Sequence, residues 1–307
     1  MKPLRLPVIL ACAAFAGLAF QASAQELTGT LAKIKRTNTI TLGVRDGSVP
    51  FSYLDDKQHY IGYSVDLCMR VVDGLKKQLA LPNLKVAMNP VTSANRIPLM
   101  ANGTIDLECG STTNNLERQQ QAAFAPTMFI ISARLMSKKS SGIISLADMK
   151  GKTLVVTAGT TTQKLMTMLN QERGLGMNIV VAKDHPESFL MLETGRAAAE
   201  ANDDILLAAQ IAGSKNPGDY QTSPEALSVE PYGIMMRRGD PAFKQAVDTA
   251  LKRVYRSEEF EKIYARWFLQ PIPPRGINLH FPMPAALRAV IANPTDSGDP
   301  AAYRTIK

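Results

Sequence analysis

The chain is 307 residues long, 45 % hydrophobic and 20 % charged, with a formal net charge of +8. That apolar content excludes a disordered chain, and the length suits roughly two domains of ordinary size. The basic residues are scattered (Arg36, Arg70, Lys138, Arg237, Lys252) and form no stripe with interleaved aromatics, so the pattern argues against nucleic-acid binding and for mild attraction of anions.

The chain opens on an address. Lys2 and Arg5 precede the apolar stretch LPVILACAAFAGLAF, and Ala22-Ser23-Ala24 supplies a small-x-small cleavage pattern. Residues 1–24 therefore read as a signal peptide, with an exported, soluble mature chain beginning at Gln25. The stretch is shorter than the ~20 apolar residues a membrane span requires. A lipoprotein signal is the alternative, because Ile9-Leu10-Ala11-Cys12 fits a lipobox.

Export changes the meaning of the cysteines. Cys12 leaves with the signal, so Cys68 and Cys109 remain, and in an oxidising compartment such a pair favours a disulfide. Two separate buried thiols are the other possibility. His59, His185 and His280 stand at no metal-binding spacing, so neither zinc nor another metal is expected.

In chain order, ITLGV (40–44) is a short apolar strand ending at Arg45. Residues 64–80 follow helical spacing, with Val65, Cys68, Met69, Val72, Leu75 and Leu79 on one face. LKVAMNPV is a strand, and Ser93 is placed to cap a short helix around ANRIPLMANG that Gly103 stops. IDLECGS and FIISARLM are strands. A new series then starts at Val155: strand TLVVTA, a Gly-Thr turn, a helix, strand NIVVAKD, helix PESFLMLETG, strand AAAEAN and another helix. LSVEPYGIMMRRG is a strand, and 241–268 is helical with a break near Ser257. The alternation predicts α/β architecture in two lobes. From Gln270 onward, repeated prolines break regular structure, and the tail is expected to wrap one lobe with its last dozen residues loose.

The polar residues gather where strands end. Arg96 offers a planar fork of donors that matches a carboxylate, with hydroxyls of Ser93, Ser111, Thr112 and Thr113 around it. Gly159-Thr160-Thr161 opens a helix whose first N–H groups suit an anion, although a plain threonine cap would look the same, and it lacks the Gly-Lys-Ser/Thr ending of a phosphate loop. Arg45 and His185 each follow an apolar strand, and Asp203 and Asp204 end another, one of them suited to cap the next helix and one to meet an ammonium group.

The blocks GVRDGSVPFSYLDD, VTSANRIPLMANGTIDLECGSTTNN, VVTAGTTTQKL and AKDHPESF resemble the periplasmic glutamate/aspartate-binding proteins among the family 3 solute-binding proteins of ABC transporters. The likeness runs from about Leu31 to LQPIPPRGINLHF. It implies a type II periplasmic binding fold with two lobes joined by two crossover strands, FIISARLM and SVEPYGIMM. Lobe one would hold residues 31–132 with 232–270, lobe two 133–231, and a Pro-rich extension 271–307 would pack on a lobe. By this resemblance, Arg96, Thr113 and the Gly159-Thr160-Thr161 turn hold an α-carboxylate. Asp203, helped by Ser111, receives the α-ammonium. Arg45, Ser93 and His185 hold the side-chain carboxylate. The chain departs from the family at AAAEAN, where Glu200 and Asn202 stand at normally apolar positions, so Asp204 is an alternative to Asp203.

The resemblance further implies a monomer without cofactor or catalytic residues, with an inner-membrane permease as partner. His185 would be protonated beside a bound carboxylate, so affinity would fall as pH rises above neutral. Rival readings are a binding protein for glutamine or asparagine and a dehydratase-like enzyme on the same scaffold, which would need a general acid or base beside its substrate.

Overall fold

The structure, a computed structural model, describes residues 27–303. The expected signal peptide (1–24) and the lipobox at Cys12 lie outside these residues.

Two five-stranded sheets built on one plan organise the molecule. The first has the order Lys85–Pro90, Thr39–Val44, Leu107–Glu108, Met235–Arg237, Ala122–Phe124, and the second Asn178–Ala182, Thr153–Thr157, Ala199–Asp203, Ala133–Lys138, Tyr220–Thr222. In each, three parallel strands are followed by an antiparallel strand that arrives from the other lobe. The chain crosses between the lobes on Phe129–Ile131 and Glu230–Tyr232, which pair antiparallel as a two-stranded ribbon. The α/β, two-lobed fold with two crossovers expected from the sequence is the fold of the chain.

Each crossover was expected as one continuous strand, and each is broken. Phe129–Ile131 is separated from Ala133–Lys138 at Ser132, and Glu230–Tyr232 from Met235–Arg237 at Gly233-Ile234. The break is physical: the backbone leaves a ribbon between the lobes and must turn before entering a different sheet.

The expected helix at 64–80 is Tyr63–Leu79, which buries Val65, Leu67, Cys68, Val71, Val72, Leu75 and Leu79. It ends where Ala80 turns left-handed and returns its N–H to the last carbonyls, a common helix stop. Cys68 on this buried face is bonded to Cys109 at the end of the Leu107–Glu108 strand, with Cα atoms 6.2 Å apart. Beside it, aromatic rings tie the lobe-one ends of both crossovers into the core. Phe51 lies 5.1 Å from both Phe129 and Tyr232, and Phe129 stacks 4.9 Å from Phe268. Edge-on and offset pairs of this kind add about 0.5–1.5 kcal/mol each beyond burial. Lobe two has a separate core around Leu135, Met149, Leu154, Val156 and Met166.

Three parts of the sequence reading need correction. Ser93 caps nothing; the short helix is Arg96–Ala101, Asn95 stands at its cap position, and the Ser93 hydroxyl has no partner. The helix Gly29–Thr37 and the small hairpin strands Gly47–Ser48, Ser52–Leu54 and Tyr60–Ile61 were not foreseen. The tail is more ordered than its prolines suggested. Ala285–Ala292 is helical, and the last dozen residues are not loose as far as Tyr303, which is buried with its hydroxyl 2.8 Å from Thr127 Oγ1.

Candidate functional site

All the polar residues singled out in the sequence follow the carboxyl ends of the parallel strands, where open α/β sheets collect ligands. Arg45 follows Thr39–Val44, Ser93 follows Lys85–Pro90, and Ser111 and Thr113 follow Leu107–Glu108. From the other sheet, Thr160 and Thr161 follow Thr153–Thr157, His185 follows Asn178–Ala182, and Asp203 ends Ala199–Asp203. The two sets face each other across the gap between the lobes. Arg45, Ser93, Arg96, Ser111, Thr113, His185 and Asp203 are each at most 7 % exposed.

The lobes touch around this cluster. Thr113 Oγ1 lies 3.3 Å from Thr161 Oγ1. Arg118 donates to the Thr113 carbonyl at 2.9 Å and across the gap to the Gly159 carbonyl at 3.1 Å. Further out, Lys164 pairs with Glu117 at 2.5 Å. Gly159 has φ +71°, and a Cβ there would come within 2.6 Å of the Ala94 backbone. Only glycine permits that approach of the second lobe to the first.

On the first lobe, Arg96 donates through Nη1 to Thr112 Oγ1 at 2.5 Å, and Thr112 donates to Glu108 Oε2 at 2.5 Å. Glu108 is fully buried, with Oε1 3.9 Å from Arg96 Nη1, and its charge also acts on Arg45. A side chain at Gly110 would meet Glu108 Oε1 at 2.3 Å and Arg45 Cγ at 2.9 Å. One carboxylate thus lies beside two buried cations. Burial, and next the Arg96 charge, lowers the Arg45 pKa to about 10, and burial lowers that of Arg96 as well; both remain charged at neutral pH. Arg45 Nη1, Ser93 Oγ, Arg96 Nε and Ser111 Oγ are buried and have no hydrogen-bond partner in the protein. Glu108 Oε1 on the same wall is unpartnered too; orphaned buried polar groups cost about 1–3 kcal/mol each, so this wall is shaped for a polar guest that brings acceptors to its two arginines.

On the second lobe the polar groups are already held. Thr160 caps the helix Thr161–Glu172: its hydroxyl donates to the Thr157 carbonyl at 2.7 Å and accepts from Gln163 N–H at 3.0 Å. What it offers a ligand is therefore backbone, not hydroxyl. Thr161 Oγ1 donates to Glu230 at 2.7 Å. Asp203 accepts from Thr162 Oγ1 at 3.3 Å and from the Tyr232 hydroxyl. Burial, and then the Glu230 charge, raises its pKa to about 7. Asp203 stands at the helix cap position without a side-chain cap bond, and Asp204 accepts from Ile205 N–H instead. An ammonium group beside Asp203 would restore its ionised form.

His185 is held by neutral partners. Its Nδ1 lies 3.1 Å from Thr157 Oγ1 and 3.0 Å from Asn202 Nδ2. Burial first, then the Arg45 and Arg96 charges, drive its pKa well below the ordinary value. These causes work against the protonated His185 that the sequence reading expected beside a bound carboxylate.

Sequence reasoning missed Arg118, Glu108, Thr162 and Tyr232. Arg118 stands five residues after Thr113 in a polar run, where nothing local tells a buried arginine from a solvated one. Tyr232 was visible only as one apolar residue of a strand.

A scan of protein families matches residues 40–270 to the bacterial extracellular solute-binding proteins, family 3. The chain is 54 % identical over 274 residues to an L-glutamate/L-aspartate-binding protein of Pseudomonas aeruginosa, covering 89 % of this chain and 91 % of that one. It is 46 % identical over 289 residues to a glutamate/aspartate import solute-binding protein of Escherichia coli, covering 94 % and 96 %. Among solved structures, a mutant of ArgBP from T. maritima superposes with a TM-score of 0.70 at 25 % identity, over 78 % of this chain and 99 % of that one.

Proposed function

The chain belongs to the bacterial extracellular solute-binding proteins of family 3, and from that footing we propose that it captures L-glutamate and L-aspartate for an ABC transporter. It is a binding protein and not an enzyme, as its relatives are. The observation that carries the ligand choice is the wall of unpartnered polar groups, Arg45 Nη1, Ser93 Oγ, Arg96 Nε and Ser111 Oγ, with the carboxylate of Asp203 on the other lobe. An acidic amino acid brings two carboxylates and one ammonium, which match that arrangement.

In this reading Arg96, Thr113 and the N–H groups at Thr160 and Thr161 take the α-carboxylate. Asp203, with Ser111, takes the ammonium. Arg45, Ser93 and His185 take the side-chain carboxylate. The ligand docks on the lobe of residues 31–132 and 232–270, and the lobe of 133–231 closes over it because its bonds form only in the closed state. An inner-membrane permease then receives the closed form of a monomer that a cleaved signal peptide has sent to the periplasm.

Calorimetry on the purified mature protein, freed of ligand by unfolding and refolding, tests the proposal with L-glutamate, L-aspartate, L-glutamine and L-asparagine in turn. Tight binding of the acids and weak binding of the amides is expected. Preference for an amide would contradict the roles given to Arg45 and His185.

A further inference from the structure

The polar pair Glu200 and Asn202, unexpected in a central strand, lies directly behind the site. Both are buried, Glu200 completely. Asn202 Oδ1 accepts from the Asp203 N–H at 2.9 Å, while its Nδ2 stands 3.1 Å from Glu200 Oε1 and 3.0 Å from His185 Nδ1. The Asp203 N–H can only donate, so it fixes which end of the Asn202 amide is oxygen. The amide of Gln210 is fixed the same way, because its Nε2 reaches the His185 carbonyl at 3.1 Å and Glu200 Oε1 at 3.1 Å. Glu200 Oε1 therefore receives two N–H donors, and any proton on this carboxyl resides on Oε2.

We infer that Asn202, held by Glu200, is a positioning residue that fixes His185 as the neutral Nε2–H tautomer, so that the ring turns a donor toward the ligand's side-chain carboxylate. The inference rests on the acidic amino-acid reading given above. Thr157 cannot decide the tautomer, since its hydroxyl either donates or accepts at Nδ1. The Asn202 Nδ2 only donates, so Nδ1 must be the lone-pair nitrogen and the proton sits on Nε2.

The charged surroundings agree. Arg45 and Arg96 face the ring from the first lobe, and both disfavour its protonation. On the second lobe Glu200 is separated from the ring by the Asn202 amide. Asp184, the preceding residue, accepts from Glu187 N–H in capping its own helix. Asp46, on the hairpin that faces this helix, accepts from the Tyr60 hydroxyl. No carboxylate among the described residues is within hydrogen-bond reach of Nδ1. The ring thus supplies one donor whose state does not change across neutral pH, and Arg45 supplies the charge.

Long-range proton–nitrogen correlation of the imidazole rings tests this on labelled protein, free and with L-glutamate, at pH 7. The chain has three histidines, and His185→Gln assigns the signal. The expected result is a protonated Nε2 and a bare Nδ1 in both states. In Asn202→Asp an acceptor faces Nδ1, so the ring should become doubly protonated and glutamate affinity should fall about tenfold between about pH 7 and 8.5, where the parent stays flat. A parent ring protonated at Nδ1 while glutamate binds tightly would overturn the inference alone. Failure of glutamate to bind would instead defeat the ligand reading. The parent spectrum decides the tautomer even where Asn202→Asp does not fold.

Discussion

The two lobes share a strand plan but bring opposite chemistry to the gap between them. The first wall holds unbonded polar groups: Arg45, Ser93, Arg96, Ser111 and Glu108 each keep a buried polar atom without a partner. The second wall is already bonded, with Thr160 capping its helix, Asp203 held by Thr162 and Tyr232, and His185 held by Asn202. The first lobe is also the one stapled by Cys68–Cys109 and by the aromatic cluster at the crossovers. The contrast teaches an order of events. On the reading proposed above, the ligand meets the unbonded wall first and the prearranged wall then closes on it.

The sharpest way to break this comparison is to remove the central cation. Arg96→Leu should weaken glutamate by ~10²–10³-fold, the about 3–4 kcal/mol expected when one side of a buried charge pair is lost. Calorimetry reads it, and a loss below tenfold would mean that the first wall is not where the carboxylate lands. Arg45→Met should cost glutamate ~10²-fold but glutamine less than ~10-fold, since only the acid places a charge there. Equal losses for both would remove Arg45 from side-chain recognition.

A milder change sharpens the closing step. Gly159→Ala puts a Cβ against the Ala94 backbone, so glutamate should bind ~10–100-fold more weakly, in keeping with about 1–3 kcal/mol of overpacking. Small-angle scattering should show the saturated variant remaining more extended than the saturated parent. The smallest effect is that of pH. Asp203 has its pKa raised to about 7 in the unliganded protein, whereas an ammonium neighbour requires it ionised. Below pH 7 a proton must leave on binding, so affinity falls as pH drops, by at most tenfold per unit. Above pH 7 Asp203 is already ionised, and with His185 as the neutral tautomer inferred above affinity stays level to about pH 8.5. A fall above pH 7 would restore a protonated His185.

Much of this was legible in the sequence because strand ends are legible. Apolar runs such as ITLGV and TLVVTA announce where a parallel strand stops, and the polar residue that follows lies in the gap. The cluster around Arg96 was readable for the same reason. What stayed hidden depends on three dimensions. Ser93 looked like a helix cap because local spacing cannot tell a capping hydroxyl from one left unbonded in the gap. Arg118 drew no notice in the sequence, yet it bonds both lobes. The partner of His185 could not be foreseen, because Asn202 reaches the ring only when its strand and the one before His185 flank Thr153–Thr157 in one sheet.

A crystal structure of the mature protein with L-glutamate would test the central claim most directly. The account predicts the α-carboxylate on Arg96, the ammonium on Asp203 and the side-chain carboxylate between Arg45 and His185, with Arg45 Nη1 and Arg96 Nε now bonded. A ligand seated instead in the neighbouring groove of about 700 Å³, which shares His185 but is bordered by Phe189, Pro273 and Arg275, would contradict it.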